Sequence, residues 1–217
     1  MFYKKSNVHF LVIKLICDFY YLYITVNTIS IEYICSNLNS INKPFMNKHI
    51  LLNSIIKDLQ IVKRLSTKIP VDQVNFRPKE NVRSTLEILQ YLCNCGTNTI
   101  RYWYRTDGSD LKTFSAERNA YLKTLTLDKI AAELDAQIEM AKHLFANITE
   151  SDLVNKEVDF PWGEKAMLGE AIMNTNIKWL AAYKLQLFLN IKLSTDEKIT
   201  TPDLWRKTEL DDLVKSN

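Results

Sequence analysis

The chain has 217 residues and a formal net charge of +3, so it is long enough to bury a substantial core and too evenly charged to hold nucleic acid by charge alone. Four glycines and five prolines are few, which favours long helices with few turns. The four cysteines, Cys17, Cys35, Cys93 and Cys95, make no disulfide framework, a usage that fits a reducing compartment, the cytoplasm.

Residues 1–45 differ from the rest. They hold no alanine or glycine and are rich in Phe, Tyr, Ile, Asn and Lys, the residues AT-rich codons encode, whereas residues 46–217 hold eleven alanines. The contrast favours a non-domain extension, with translation starting at Met46. A membrane anchor competes with that reading. Lys14 and Asp18 break its apolar run, however, and leave Phe19–Ile31, thirteen residues, too short for a span. A signal peptide would account for Lys4, Lys5 and the apolar residues after them, but no small-residue cleavage site follows.

A first helix is expected over about Lys48–Ile69. Leu51, Ile55, Leu59, Val62, Leu65 and Ile69 form its apolar stripe, with Asn53, Lys57, Gln60, Lys63 and Arg64 outside, and Pro70 stops it. Val71–Arg83 is a connection pinned by Phe76 and Pro78. Ser84 and Glu87 form a capping box that opens a second helix running to about Arg105. Leu86, Leu89, Cys93, Gly96 and Ile100 line one side of it, and Ile88, Tyr91, Cys95 and Tyr102 the other. Residues 110–123 read as a loop with a short helix near Ser115–Leu122. A third helix runs from Thr126 to about Ile148, its stripe at Leu127, Ile130, Leu134, Ile138, Ala141, Leu144 and Ile148 and its exposed face at Lys129, Glu133, Gln137 and Lys142. A short extended piece, Leu153–Phe160, precedes Pro161.

Lys165–Lys192 reads as one long fourth helix of about 42 Å. Leu168, Ile172, Trp179, Tyr183 and Leu187 recur at helical spacing with Asn176 on the same line. Ile177, Leu180, Leu185 and Leu189 leave no clean polar face, so burial on most sides is expected. Lys178 and Lys184 interrupt it too often for a membrane span. The sum is an all-α four-helix bundle over residues 46–193 and a polar tail over 194–217 anchored by Trp205. The second apolar faces of helices two and four either line an internal cavity or pair with another copy as a homodimer.

Two runs carry a resemblance. One is Phe76-Arg77-Pro78 leading to Ser84-Thr85-Leu86-Glu87-Ile88-Leu89-Gln90-Tyr91-Leu92; the other is Trp179-Leu180-Ala181-Ala182-Tyr183-Lys184-Leu185-Gln186. Together with the order and length of the elements they resemble the DinB/YfiT-like superfamily of four-helix bundles, over nearly all of residues 46–217. The resemblance implies a divalent metal held by three histidines in metal-binding members, some of which transfer low-molecular-weight thiols. Tyr91 stands where such members have the histidine of the second helix. Trp179 and Tyr183 stand at both histidines of their HxxxHRGQ run. Trp has no ligand atom and neutral Tyr is a poor ligand, so no metal and no cofactor are expected at the family's site.

The three rings either fill the old metal cavity, the simpler reading, or wall a small apolar-ligand pocket with Asn94, Asn176 and Gln186 as its polar groups. The function expected is therefore non-catalytic or small-ligand-binding. The alternative is a thiol-dependent transferase working without metal or with substitute ligands. No catalytic residue stands out. Cys93 and Cys95 read as core thiols, and His49 and His143 as surface groups. Arg101-Tyr102-Trp103-Tyr104-Arg105 mixes cations with aromatics as single-strand binders do, but it also ends a helix where cations suit the dipole. Asp159, Glu164 and Glu170 suit the start of the last helix. Neither nucleic acid nor membrane is an expected partner, unless residues 1–45 are an anchor.

Overall fold

The computed structural model describes residues 46–195 and 199–208. The readings of residues 1–45, Cys17 and Cys35 included, lie outside the described residues. What is described is mostly helical, with one two-stranded sheet. No described helix is long and apolar enough to cross a membrane.

Helix α1, Lys48–Ser66, starts at Asn47, whose side chain accepts from the amides of His49 and Ile50. All six residues of the expected stripe are buried, including Ile69 just past the helix. Arg64, expected on the solvent face, is buried as well. The cause is a C-terminal 3-10 turn, Thr201–Leu204, that packs against this face. Arg64 Nη1 reaches Asp203 Oδ1 at 3.1 Å and Nη2 donates to the Asp203 carbonyl at 2.6 Å. Ile199 and Leu204 enter the core beside it, whereas Trp205, the expected anchor, is 57 % exposed. Residues 199–204 are therefore built into the fold.

Asp203 also accepts from the Thr200 amide at 2.6 Å and the Thr200 hydroxyl at 3.0 Å. Burial opposes its ionisation, but those bonds and the charges of Arg206 and Arg64 outweigh it and hold the carboxyl at about 2, below its ordinary 3.8. A lowered carboxylate pKa adds stability that is present above the ordinary value and lost as pH falls through the lowered one. Acid unfolding should therefore steepen as pH drops from 3.8 to about 2. In Asp203→Asn that stretch should flatten, as urea melts across the range would show.

Helix α2, Thr85–Cys95, opens with the expected capping box between Ser84 and Glu87. It does not continue to Arg105. It breaks at Gly96-Thr97, and helix α3, Asn98–Trp103, follows. The side chain of Gln137 enters the break: Nε2 donates to the Leu92 carbonyl at 2.8 Å and Oε1 accepts from the Gly96 amide at 2.9 Å. A side chain inserted into the backbone ladder is a recognised cause of such breaks. A β-carbon on Gly96 would stand 2.9 Å from Gln137 Oε1, so any other residue here would push that amide away.

Helix α4 spans Leu111–Leu122, longer than the short helix expected, and Asp110 caps it by accepting from the Thr113 amide at 2.8 Å. Helix α5, Leu127–Ala146, buries Ile130, Leu134, Ile138 and Ala141 as expected. Gln137, expected on the exposed face, is 3 % exposed for the reason just given. Glu133, one turn earlier, also turns inward and pairs with Arg118 of α4.

Helix α6, Glu150–Asn155, replaces part of the expected extended piece. Strands β1, Glu157–Asp159, and β2, Lys165–Met167, then pair antiparallel with Val158 opposite Ala166. Gly163 turns the hairpin at φ +95°, a left-handed backbone that glycine adopts without strain. The final helical stretch thus begins at Leu168 instead of Lys165. It comprises α7, Leu168–Ile172, a wider π turn, Met173–Ile177, and α8, Lys178–Ser194. Helix α1 packs against α5 and α8, and α2 packs against the same two.

Lys184 of α8 is 2 % exposed, and its Nζ lies 2.5 Å from Asp58 Oδ1 of α1. The second face of α2 is covered from within the chain: Ile88 and Cys95 are buried, Tyr91 packs on Tyr183, and Tyr102 of α3 meets Phe114. Of these two faces, among the described residues, that of α8 keeps an exposed apolar row, Leu185, Leu189 and Leu193.

Candidate functional site

Tyr91 of α2 and Tyr183 of α8 meet with ring centroids 4.3 Å apart, tilted by 48°. The Arg83 guanidinium lies over both rings, 4.5 Å from Tyr91 and 4.9 Å from Tyr183. Such stacking holds a cation against ring faces without pairing it to a carboxylate. Trp179, four residues before Tyr183, and Tyr91 line the same cleft. The structure thus brings together all three aromatic positions singled out in the sequence.

Two clefts adjoin at this point. The smaller, about 400 Å³, is lined by Tyr91, Asn94, Cys95, Asn98, the α4 residues Leu111, Lys112, Ser115, Asn119 and Leu122, the hairpin's Pro161, and Trp179. The larger, about 630 Å³, is lined by Arg83, Glu87, Gln90, Tyr91, Asn119, Leu122 and Lys123. Tyr91, Asn119 and Leu122 belong to both, so the clefts form one trough along the seam between α2 and α4.

The trough follows from how α4 is attached. Only Ser115 and Leu122 of α4 are buried, so little apolar packing draws it down. Polar clasps hold it instead. Gln90 Nε2 donates to the Leu125 carbonyl at 2.9 Å, Arg118 donates to the Cys93 carbonyl at 3.1 Å, and Asn98 Nδ2 donates to Ser115 Oγ at 2.9 Å.

The expected polar groups divide. Asn94 lines the smaller cleft. Asn176 does not reach it. It is fully buried, accepts from Thr99 Oγ1 at 2.8 Å and donates to the Cys95 carbonyl at 3.0 Å. It satisfies the carbonyl freed by the break at Gly96. The wider π turn moves Asn176 off the line that an unbroken helix would share with Trp179 and Tyr183. Gln186 is half-buried and lines neither cleft. Among the lining residues that the spacing left out are Arg83, Asn98, Asn119 and Lys123. Only Asn119 and Lys123 had a signal, Asp110 ahead of Thr113, an N-cap announcing that α4 starts at Leu111.

The chemistry open to this site is narrow. Burial pushes the Tyr91 phenol above its ordinary range, with Cys95 and Tyr183 adding to the effect and Arg83 opposing it, so Tyr91 is neutral. Burial pushes the Cys93 thiol up to about 12 and the Cys95 thiol higher still, so neither is a nucleophile near neutral pH. A neutral phenol and an indole that only donates make no ligand set for a divalent cation. Among the described residues no group of three His, Cys, Asp or Glu side chains converges. His49 and His143 are exposed and line neither cleft.

The cation-rich run at Arg101–Arg105 is engaged within the chain. Arg105 lies over the Tyr102 ring at 3.8 Å, Lys156 lies over Tyr104 at 3.3 Å, and Trp103 Nε1 donates to the Asp159 carbonyl at 2.8 Å. Comparison with known proteins finds no match for the chain among family models, curated proteins or solved structures.

Proposed function

We propose that residues 46–193 are a DinB-like four-helix bundle in which rings replace the three metal-binding histidines, and that the protein binds a small molecule beside those rings without a metal. The observation that carries this reading is the meeting of Tyr91 and Tyr183 at 4.3 Å, with Trp179 four residues before Tyr183 in the adjoining wall. Two positions four apart on one helix and a third on the helix packed against it are what a three-imidazole site needs. The packing of α1 and α2 each against both α5 and α8 also supports a bundle. The neutral phenol of Tyr91 and the neutral thiols of Cys93 and Cys95 favour binding over catalysis.

Restoring the histidines tests this directly. The full chain, purified without a histidine tag after growth with nickel, zinc and manganese, should carry substoichiometric metal. The triple variant Tyr91→His, Trp179→His, Tyr183→His should carry one divalent ion per chain and melt higher with metal than with chelator. Stoichiometric metal in the parent would overturn the metal-free reading. A folded triple variant that takes up none would overturn the bundle reading.

A further inference from the structure

The trough has a charge pattern that names its ligand more closely. We infer that it binds a flat, largely apolar anion: an aromatic body in the smaller cleft with one carboxylate, sulfonate or phosphate reaching into the larger one. This rests on the small-molecule reading above and specifies the ligand's class.

The larger cleft carries two cations, Arg83 and Lys123, against one carboxylate, Glu87. That carboxylate is already committed: Glu87 Oε1 accepts from Arg77 Nη2 at 2.9 Å and Oε2 from the Ser84 amide at 2.7 Å. The Arg77 hydrogen bond is the chief reason its pKa is lowered. Among the described residues no carboxylate pairs with Arg83 or Lys123. Arg83 lies over the faces of Tyr91 and Tyr183 and lines the cleft, which engages it without neutralising its charge. The electrostatic complement of two cations without a carboxylate partner beside a spent acid is an anion.

The smaller cleft asks for a different body. Tyr91, Trp179, Leu111, Leu122 and Pro161 give it apolar walls. Its polar points are uncharged amides and a hydroxyl apart from Lys112. One of them, Asn98 Oδ1, is buried and accepts no hydrogen bond among the described residues, while its Nδ2 donates to Ser115. Both volumes fall in the range of about 300–1,000 Å³ usual for small-molecule sites. The shared residues Tyr91, Asn119 and Leu122 let one molecule bridge the two.

Two fluorescent probes test the inference on the full chain: anilinonaphthalene sulfonate, and phenylnaphthylamine, which has the same rings without the charge. The sulfonate should bind saturably at one site and more tightly than the neutral probe. Arg83→Gln and Lys123→Gln should each weaken the sulfonate about fivefold to tenfold more than the neutral probe, as loss of one partly solvated charge contact predicts. Tyr91→Ala and Trp179→Ala should weaken both probes. Equal binding of the two probes, or a sulfonate affinity indifferent to Arg83→Gln and Lys123→Gln, would overturn the anion inference and leave the small-molecule reading standing. If neither probe binds, or if binding ignores Tyr91→Ala and Trp179→Ala, both fail together.

Discussion

Replacing Asp58 by alanine is expected to destabilise the fold by about 3–5 kcal/mol, the usual cost of leaving one member of a buried ion pair alone. Lys184 Nζ lies 2.5 Å from Asp58 Oδ1, and its side chain is almost wholly out of water. The other neighbour of that ammonium is the Trp205 ring at 5.0 Å, too weak a partner to replace a carboxylate. Urea titration of the variant should show a lower midpoint with an unchanged slope. The double replacement Asp58→Leu, Lys184→Met should recover most of the loss, because an apolar pair of similar volume removes both desolvation penalties. A loss in Asp58→Ala within about 0.5 kcal/mol, the range of ordinary surface changes, would mean that water reaches the ammonium after all. The pair also fixes how α8 is rotated against α1. Tyr183 precedes Lys184, so the contact that buries the lysine helps to turn the tyrosine toward Tyr91.

The helices legible in the sequence are those whose signals are local. Ser84 and Glu87 are three residues apart and cap α2 whatever packs on it. The α1 stripe repeats every three or four residues and lies on the buried side throughout. What was not legible depends on distant partners. Gln137 looks like a solvent residue, yet its two partners lie 41 and 45 residues earlier. Arg64 looks the same, and its partner lies 139 residues later. A long polar side chain is read as exposed unless something far off in the chain can satisfy it, and periodicity does not report that.

The site divides in the same way. Tyr91, Trp179 and Tyr183 were singled out because the resemblance sets them at three histidine positions, not because periodicity marks them. The α4 wall was missed because a helix that buries only Ser115 and Leu122 has no apolar stripe to read. Asn176 was placed in the pocket on the premise of one regular helix from Lys165 onward. The π turn at Met173–Ile177 breaks that premise and sends the amide into the core. Arg83 carried no sequence signal at all: it precedes the cap residue, and its role comes only from the two rings beneath it.

Gln137→Leu is expected to cost about 2–6 kcal/mol, since it strips side-chain partners from two buried backbone groups at about 1–3 kcal/mol each. The Gly96 amide loses its side-chain acceptor and keeps only the Asn94 carbonyl, the Leu92 carbonyl loses its side-chain donor, and the leucine that replaces the amide can supply neither. Gly96→Ala attacks the same lock from the other side, because its β-carbon would stand 2.9 Å from Gln137 Oε1 and 3.2 Å from Leu180 Cδ1. Hydrogen exchange distinguishes a broken lock from general loosening. In Gln137→Leu the Gly96 amide should exchange much faster than the amides of α1, whose ladder is untouched. Glu139→Ala, on the exposed side of the same helix, should leave both unchanged. The break also shapes the trough, because α3 leaves the line of α2 there and carries Asn98 to the cleft wall that Asn94 begins. If Gln137 sets the break, its loss should weaken the sulfonate probe along with the fold. Unaltered stability and unaltered Gly96 exchange would show that α2 ends at Gly96 through the glycine alone.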